Sequence, residues 1–382
     1  MLITKTEELA AFCAAHAETE FVTVDTEFMR ERTYWPKLCL VQLGGPEQVV
    51  AVDPLAKGID LAPLFELLAD PKVMKVFHAA RQDVEIFFNL TGKVPTLMFD
   101  TQVAAMVCGF GDSASYETLA GQLAGAKIDK SSRFTDWSNR PLTEKQITYA
   151  LGDVSHLRTV YVRLRDQLQK TGRVDWVREE MAELTSPATY TIDPQEIWRR
   201  FKWRADKPRL RAVLRELAAW RETEAQRINV PRNRVVRDEA LMEIAHHPPE
   251  NAHDLSRIRG LSTGFAESRQ GKEILEAVAR ANALPVEECP AGEARRVLPG
   301  GLGPVMDLLK VLLKQVCEEH NVASKLMANT DDLEAIAADD KADVPALHGW
   351  RRDLFGNLAL ALKNGELGLS VKNRKVVVSK LG

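Results

Sequence analysis

The chain has 382 residues, enough for two or three domains of ordinary size. Apolar residues make up 45% and charged residues 27%, which excludes a disordered chain and one embedded throughout in lipid. A net charge of −3 excludes a protein coated uniformly in basic residues, although 13 Lys/Arg against 4 Asp/Glu between Arg199 and Arg237 form a local basic belt.

The N-terminus, Met1-Leu2-Ile3-Thr4-Lys5-Thr6-Glu7-Glu8, acquires acidic residues before any apolar run of signal-peptide length. No stretch approaches the roughly 18 apolar residues of a membrane span. The five cysteines are dispersed and form no Cys-x-x-Cys pair, so neither a zinc site nor a disulfide framework is expected. A cytoplasmic protein with no membrane partner follows as the expectation.

Residues 21–28, 38–43 and 48–53 are short, β-branched runs bounded by turn residues, and predict strands. Residues 75–78 predict another. Between and after them, apolar residues at helical spacing mark Leu61 to Leu68, Val84 to Leu90, Thr101 to Cys108, Tyr116 to Leu123 and Thr143 to Leu168. Strands mixed with helices predict an α/β domain over 1–185. Past a linker at 186–206 the pattern becomes helical, and it repeats. Asn229-Val230 followed by Leu241, Ile244 and Ala245 recurs 92 residues later as Asn321-Val322 followed by Leu333, Ile336 and Ala337. Two all-α modules are therefore expected, at 207–284 and 302–382, joined by a Pro- and Gly-rich linker at 285–301.

Asp25 and Glu27 are two apart in a predicted strand, so both carboxylates leave it on one face. Flanked by Phe21, Val22, Val24 and Phe28, they need a cation: a divalent metal, or the commoner alternative of salt bridges to Arg30 or Arg32. Asp83 falls in the first turns of a helix that follows Phe77-His78, where a dipole-stabilised surface acid is the usual reading. Tyr149 and Asp153 are four apart on a helix and share a face, the usual roles there being a core tyrosine and a surface acid. Singly, each cluster is ambiguous. His246, His247 and His253 lack a zinc-like ligand set beside Pro248-Pro249 and read as a polar loop. The chain has no Gly-x-x-x-x-Gly-Lys phosphate loop and hence no expected nucleotide cofactor.

The order and separation of the three acidic clusters make the chain recognisable. With Arg32-Thr33-Tyr34-Trp35-Pro36, Phe99-Asp100-Thr101-Gln102, Thr135-Asp136-Trp137 and Arg140-Pro141-Leu142-Thr143, they resemble the ribonuclease D family. This is the tyrosine branch of the 3′-to-5′ exonucleases named for four acidic residues. The two helical repeats resemble the module shared by that family and certain helicases. The resemblance implies an α/β ribonuclease-H-like domain, catalytic Asp25, Glu27, Asp83, Tyr149 and Asp153, and two divalent ions, Mg²⁺ or Mn²⁺, held by the four acids. Tyr149 would orient or help deprotonate the attacking water. The implied product is a nucleoside 5′-monophosphate, and the implied substrate an RNA with a free 3′ end, such as a transfer RNA precursor. A monomer is expected. Phe28, Tyr34, Lys130, Arg133 and Arg140 are candidate RNA contacts, each with a plain structural alternative. The first helical module, with Trp198, Trp203 and Trp220 among its basic residues, is expected to take the larger share of RNA binding. The more acidic second module would cap the architecture or help form a ring. Competing functions are a DNA proofreading or repair exonuclease and a catalytically silent nucleic-acid-binding scaffold.

Overall fold

A computed structural model describes residues 1–129, 132, 135–201, 207–292 and 300–381. Its strands are β1 (Leu2–Ile3), β2 (Phe21–Met29), β3 (Lys37–Gly44), β4 (Val49–Val52), β5 (Met74–Phe77) and β6 (Met98–Asp100), in sheet order β1-β4-β3-β2-β5-β6. β2 pairs parallel with β5, and β5 parallel with β6, whereas β3 and β4 are antiparallel. Helices α1 (Thr6–His16), α2 (Ala62–Ala69), α3 (Arg81–Thr91), α4 (Thr101–Val107), α5 (Tyr116–Ala124), α6 (Glu144–Thr171) and α7 (Val174–Leu184) complete the domain. The centre of the sheet is hidden on both faces: Val22, Val24, Leu40, Val76 and Phe77 are all fully buried. That accounts for the near-continuous apolar runs that mark these strands in the sequence.

The 28-residue α6 begins with a capping box, in which Thr143 accepts from the Gln146 N–H and the Gln146 side chain accepts from the Thr143 N–H. It ends at Gly172, whose φ of 69° suits a residue with no Cβ. Ala150, Val154, Leu157, Val160, Leu164 and Leu168 bury one stripe of the helix against the domain. Tyr149 and Asp153 flank that stripe.

Compactness divides the chain into two bodies. One comprises Met1–Glu27, Cys39–Ser186 and Arg296–Gly382; the other comprises Phe28–Leu38 and Pro187–Arg295. The second body contains α8 (Pro208–Ile228), α9 (Arg232–Val235), α10 (Asp238–His246), α11 (Ala252–Ser256), α12 (Thr263–Ala266) and α13 (Arg269–Ala283). Tyr34, Trp198, Leu214, Leu217, Leu241 and Ile274 share its core. The C-terminal part of the first body contains α14 (Leu302–His320), α15 (Ser324–Met327), α16 (Thr330–Ala338), α17 (Gly349–Arg351) and α18 (Asn357–Lys363).

The 92-residue repeat is visible element by element. Both α8 and α14 stop at an asparagine in the left-handed region, Asn229 (φ 52°) and Asn321 (φ 49°), a conformation asparagine tolerates better than most residues. Each is followed by a four-residue helix and then a nine-residue helix at the same offset. The second module is held against the exonuclease domain by side chains and backbone alike. Trp350 stacks on Trp176 with centroids 4.5 Å apart, Arg351 pairs with Glu180, and the Ala323 N–H donates to the Met106 carbonyl at 2.9 Å.

One element departs from the expectation of purely helical modules. β7 (Leu367–Lys372) and β8 (Lys375–Lys380) form an antiparallel hairpin closed by Asn373 and Arg374, both with positive φ.

Candidate active site

Thr23, Asp25 and Glu27 lie at alternate positions of β2 and so share a face. The Thr23 hydroxyl donates to the Val154 carbonyl of α6 at 2.8 Å, fixing the strand against the helix one residue from Asp153. Gly44 of β3 makes this approach possible, because a Cβ there would sit 2.3 Å from the Thr23 Oγ1 and 3.1 Å from the Val154 carbonyl. One carboxylate oxygen each from Asp25, Glu27 and Asp153 then falls within 4.8 Å of the others. Among the described residues, no other group of three acids, histidines or cysteines converges in this way. The histidines beside Pro248-Pro249 do not lie in one loop as expected: His246 ends α10 and His253 lies in α11.

Asp83 is buried in the first turn of α3, at variance with its reading as an ordinary surface acid. Its carboxylate accepts a hydrogen bond from the Thr26 hydroxyl, and it stands beside Asp25 closely enough for the two charges to interact. It is not part of the three-oxygen cluster. Burial pushes Asp25 up to about 6, offset in part by the Thr26 backbone. Burial and then the Asp25 charge push Asp83 well above the usual carboxylate range, with the Thr26 hydroxyl acting against them. Such crowding of desolvated carboxyls is what a divalent cation relieves, and an all-oxygen donor set suits the hard ions Mg²⁺ and Mn²⁺. The Tyr149 hydroxyl donates to Asp153, and burial together with the Asp153, Glu27 and Asp25 charges raises the phenol well above its ordinary pKa. It remains protonated at neutral pH.

Asp25, Tyr149 and Asp153 line a cavity of about 360 Å³ with His78, Gln102 and Tyr116. The last three are not among the site residues expected from sequence. The Tyr116 hydroxyl donates to the Gly152 carbonyl at 2.8 Å, and His78 Nδ1 is 3.0 Å from the Thr101 hydroxyl. Asp100 explains the motif around it. It caps α4 through the Gln102 N–H and also accepts from the Ala79 and Ala80 N–H groups. Those bonds hold Ala79, which also lines the cavity, in the left-handed region at φ 59°, a conformation that costs a non-glycine residue about 1–3 kcal/mol.

Two candidate RNA contacts receive other work. Arg140 uses every N–H donor it has on the domain itself: both Asp53 carboxylate oxygens at 2.6–2.7 Å and the carbonyls of Cys39, Trp137 and Asn139 at 2.7–2.8 Å. It ties the segment before α6 to the sheet and has no donor left for a phosphate. Arg140→Ala is therefore expected to leave KM for RNA within about twofold while destabilising the fold by about 3 kcal/mol, since Asp53 would be left buried without its partner. Thermal denaturation and steady-state kinetics check the two halves separately. Tyr34 is also committed internally: it is 8% exposed, and its hydroxyl donates to Glu222 in the core of the first helical module. Phe28 is half-buried directly after Glu27. Lys130, Arg133 and Trp203 lie outside the described residues.

The fold and the acid cluster define a 3′-5′ exonuclease, and residues 1–169 match the 3′-5′ exonuclease family model. Residues 211–278 match the HRDC domain. The chain is 53% identical to ribonuclease D of Granulibacter bethesdensis over all of this chain and 97% of that protein. It is 44% identical to ribonuclease D of Bartonella henselae over 100% of this chain and 94% of that one. The crystal structure of Escherichia coli RNase D, described as an exoribonuclease involved in structured RNA processing, superposes with a TM-score of 0.81 at 30% identity, over 95% of this chain and 98% of that chain. The chain belongs to the ribonuclease D family and is a 3′-5′ exoribonuclease, a hydrolase whose substrate is RNA. Its exonuclease family generally uses divalent metal ions. Among the described residues no helix is long and apolar enough to cross a membrane.

Proposed function

We propose that this exoribonuclease shortens RNA from a free 3′ end by two-metal hydrolysis, releasing nucleoside 5′-monophosphates, and that its substrates are transfer RNA precursors and other small structured RNAs. The convergence of Asp25, Glu27 and Asp153 within 4.8 Å, beside Asp83 and at the wall of a cavity, carries this reading. When bound by these acids, two ions would supply positive charge for the attacking water and the departing 3′ oxygen. Asp25 belongs to the cluster and also interacts electrostatically with Asp83, so it would help hold the ions. Tyr149 is a positioning group: burial and the neighbouring carboxylates favour its protonated phenol, which can hold a water by hydrogen bonding. A monomer in the cytoplasm completes the reading. The choice of structured RNA as substrate is supported by the similarity to E. coli RNase D, whose described role is structured RNA processing.

The test is product analysis on a transfer RNA precursor carrying extra 3′ nucleotides, with Mg²⁺ or Mn²⁺ and after chelation. Stepwise trimming to the mature end, with 5′-monophosphates as the only small product, is expected, and chelation should stop it. Nucleoside 3′-phosphates would overturn the proposed direction of attack.

A further inference from the structure

The first helical module holds a second polar cavity of about 360 Å³, within the body formed by Phe28–Leu38 and Pro187–Arg295. Four arginines line it, Arg30, Arg200, Arg221 and Arg232, against one carboxylate, Asp238. Arg221 is the unusual member. It is 3% exposed, and its Nη1 is satisfied by the Val236 carbonyl at 2.8 Å and Asp238 at 2.7 Å. Its Nε is buried and has no hydrogen-bond partner among the described residues. A guanidinium held in this way is incompletely satisfied, because burial disfavours its charge and one N–H donor goes unused. Arg232 spends its fork on the buried Glu222 but keeps its charge at the cavity wall. Arg200, the last residue of a short 3₁₀ helix (Pro194–Arg200), is exposed and pairs with no acid among the described residues.

A planar, multi-donor cationic socket suits a tetrahedral oxyanion, for which arginine forks are the preferred recognition group. We propose that this cavity binds a phosphodiester group of the RNA backbone, with Arg200 and Arg221 as its principal donors. The site would hold the body of the substrate through charge, independent of base sequence. The proposal rests on RNA being the substrate, and its test separates the two.

RNA affinity of the full-length protein is measured in chelator, where no turnover occurs, as a function of salt. Arg200→Gln is expected to weaken binding about fivefold and to flatten the slope of log Kd against log salt by about 0.7, the value for one lost single-strand phosphate contact. Arg200→Glu should weaken it more than tenfold. Both variants should melt with the wild type, because Arg200 is exposed. Arg221→Lys, which keeps a charge but loses the planar fork, should also lose affinity. Unchanged affinity and slope in both Arg200 variants, in a protein that still binds and degrades RNA, would overturn the site and leave the activity standing. Arginine-dependent capture of inorganic phosphate with unchanged RNA affinity would overturn its assignment to the backbone. Wild-type protein that neither binds nor degrades RNA would instead remove the substrate on which the proposal depends.

Discussion

Asp25→Asn is expected to lower kcat/KM on RNA by at least three orders of magnitude, a loss of about 4 kcal/mol of transition-state stabilisation. The substitution is nearly isosteric, so the effect isolates charge. Asp25 belongs to the three-oxygen cluster and also couples electrostatically to Asp83. Neutralising it weakens both sides of the site at once. The fold should not suffer, because the wild-type carboxyl is desolvated and crowded by like charge. In metal-free buffer the variant should melt at or above the wild-type temperature. In saturating Mg²⁺ it should gain less thermal stability than wild type, since a ligand stabilises only in proportion to its affinity for the folded state. Kinetics and melting curves with and without the ion check the prediction, and full activity would refute it.

Glu222→Ala is expected to destabilise the body containing the first helical module by about 3–5 kcal/mol. Glu222 is fully buried on α8 and accepts from the Tyr34 hydroxyl, from Nε and Nη2 of Arg232 and from Gln226. Removing the carboxylate leaves the Arg232 guanidinium partly buried without its counter-ion and the Tyr34 hydroxyl without its acceptor. Burial alone would raise the Glu222 pKa, but hydrogen bonds from Arg232 and Tyr34 more than offset it and hold it below the usual value. A depressed carboxyl pKa stabilises the folded state above the unfolded value, near 4.3, and that contribution is lost as pH falls through the folded pKa. The difference in stability between wild type and Glu222→Ala should therefore be constant from neutral pH down to about 5 and shrink at lower pH. Tyr34→Phe should cost less, about 1 kcal/mol, because the Glu222–Arg232 pair survives.

The contrast between these two sites shows what the sequence could reveal. Asp25 and Glu27 were legible because strand alternation alone puts them on one face, and Tyr149 and Asp153 because helical spacing does the same. The 92-residue repeat was legible because helix ends and short connecting helices recur at fixed positions. The partners of Tyr34 and Arg140 are hidden in the sequence for the same physical reason in each case. Tyr34 bonds to a partner 188 residues away and Arg140 to one 87 residues away. Nothing local encodes such a pairing. The burial of Asp83 and its bond to Thr26, 57 residues distant, were hidden likewise. The β7–β8 hairpin did carry a signal: three consecutive valines at 376–378 follow Asn373-Arg374, a turn at whose start asparagine readily adopts positive φ. The strongly helical character of the preceding residues masked it. Tyr116 and His78 carry no such signal, because contributing to a cavity wall needs no periodicity at all.

The most direct test of the catalytic account is a digestion time course on 5′-labelled RNA, run in parallel with free and blocked 3′ ends, using wild-type protein with Mg²⁺. A ladder shortening one nucleotide at a time from the free end is expected, with no change in the blocked RNA and none in either RNA for Asp25→Asn. Internal cuts in the blocked RNA, or an unaltered ladder from Asp25→Asn, would contradict it.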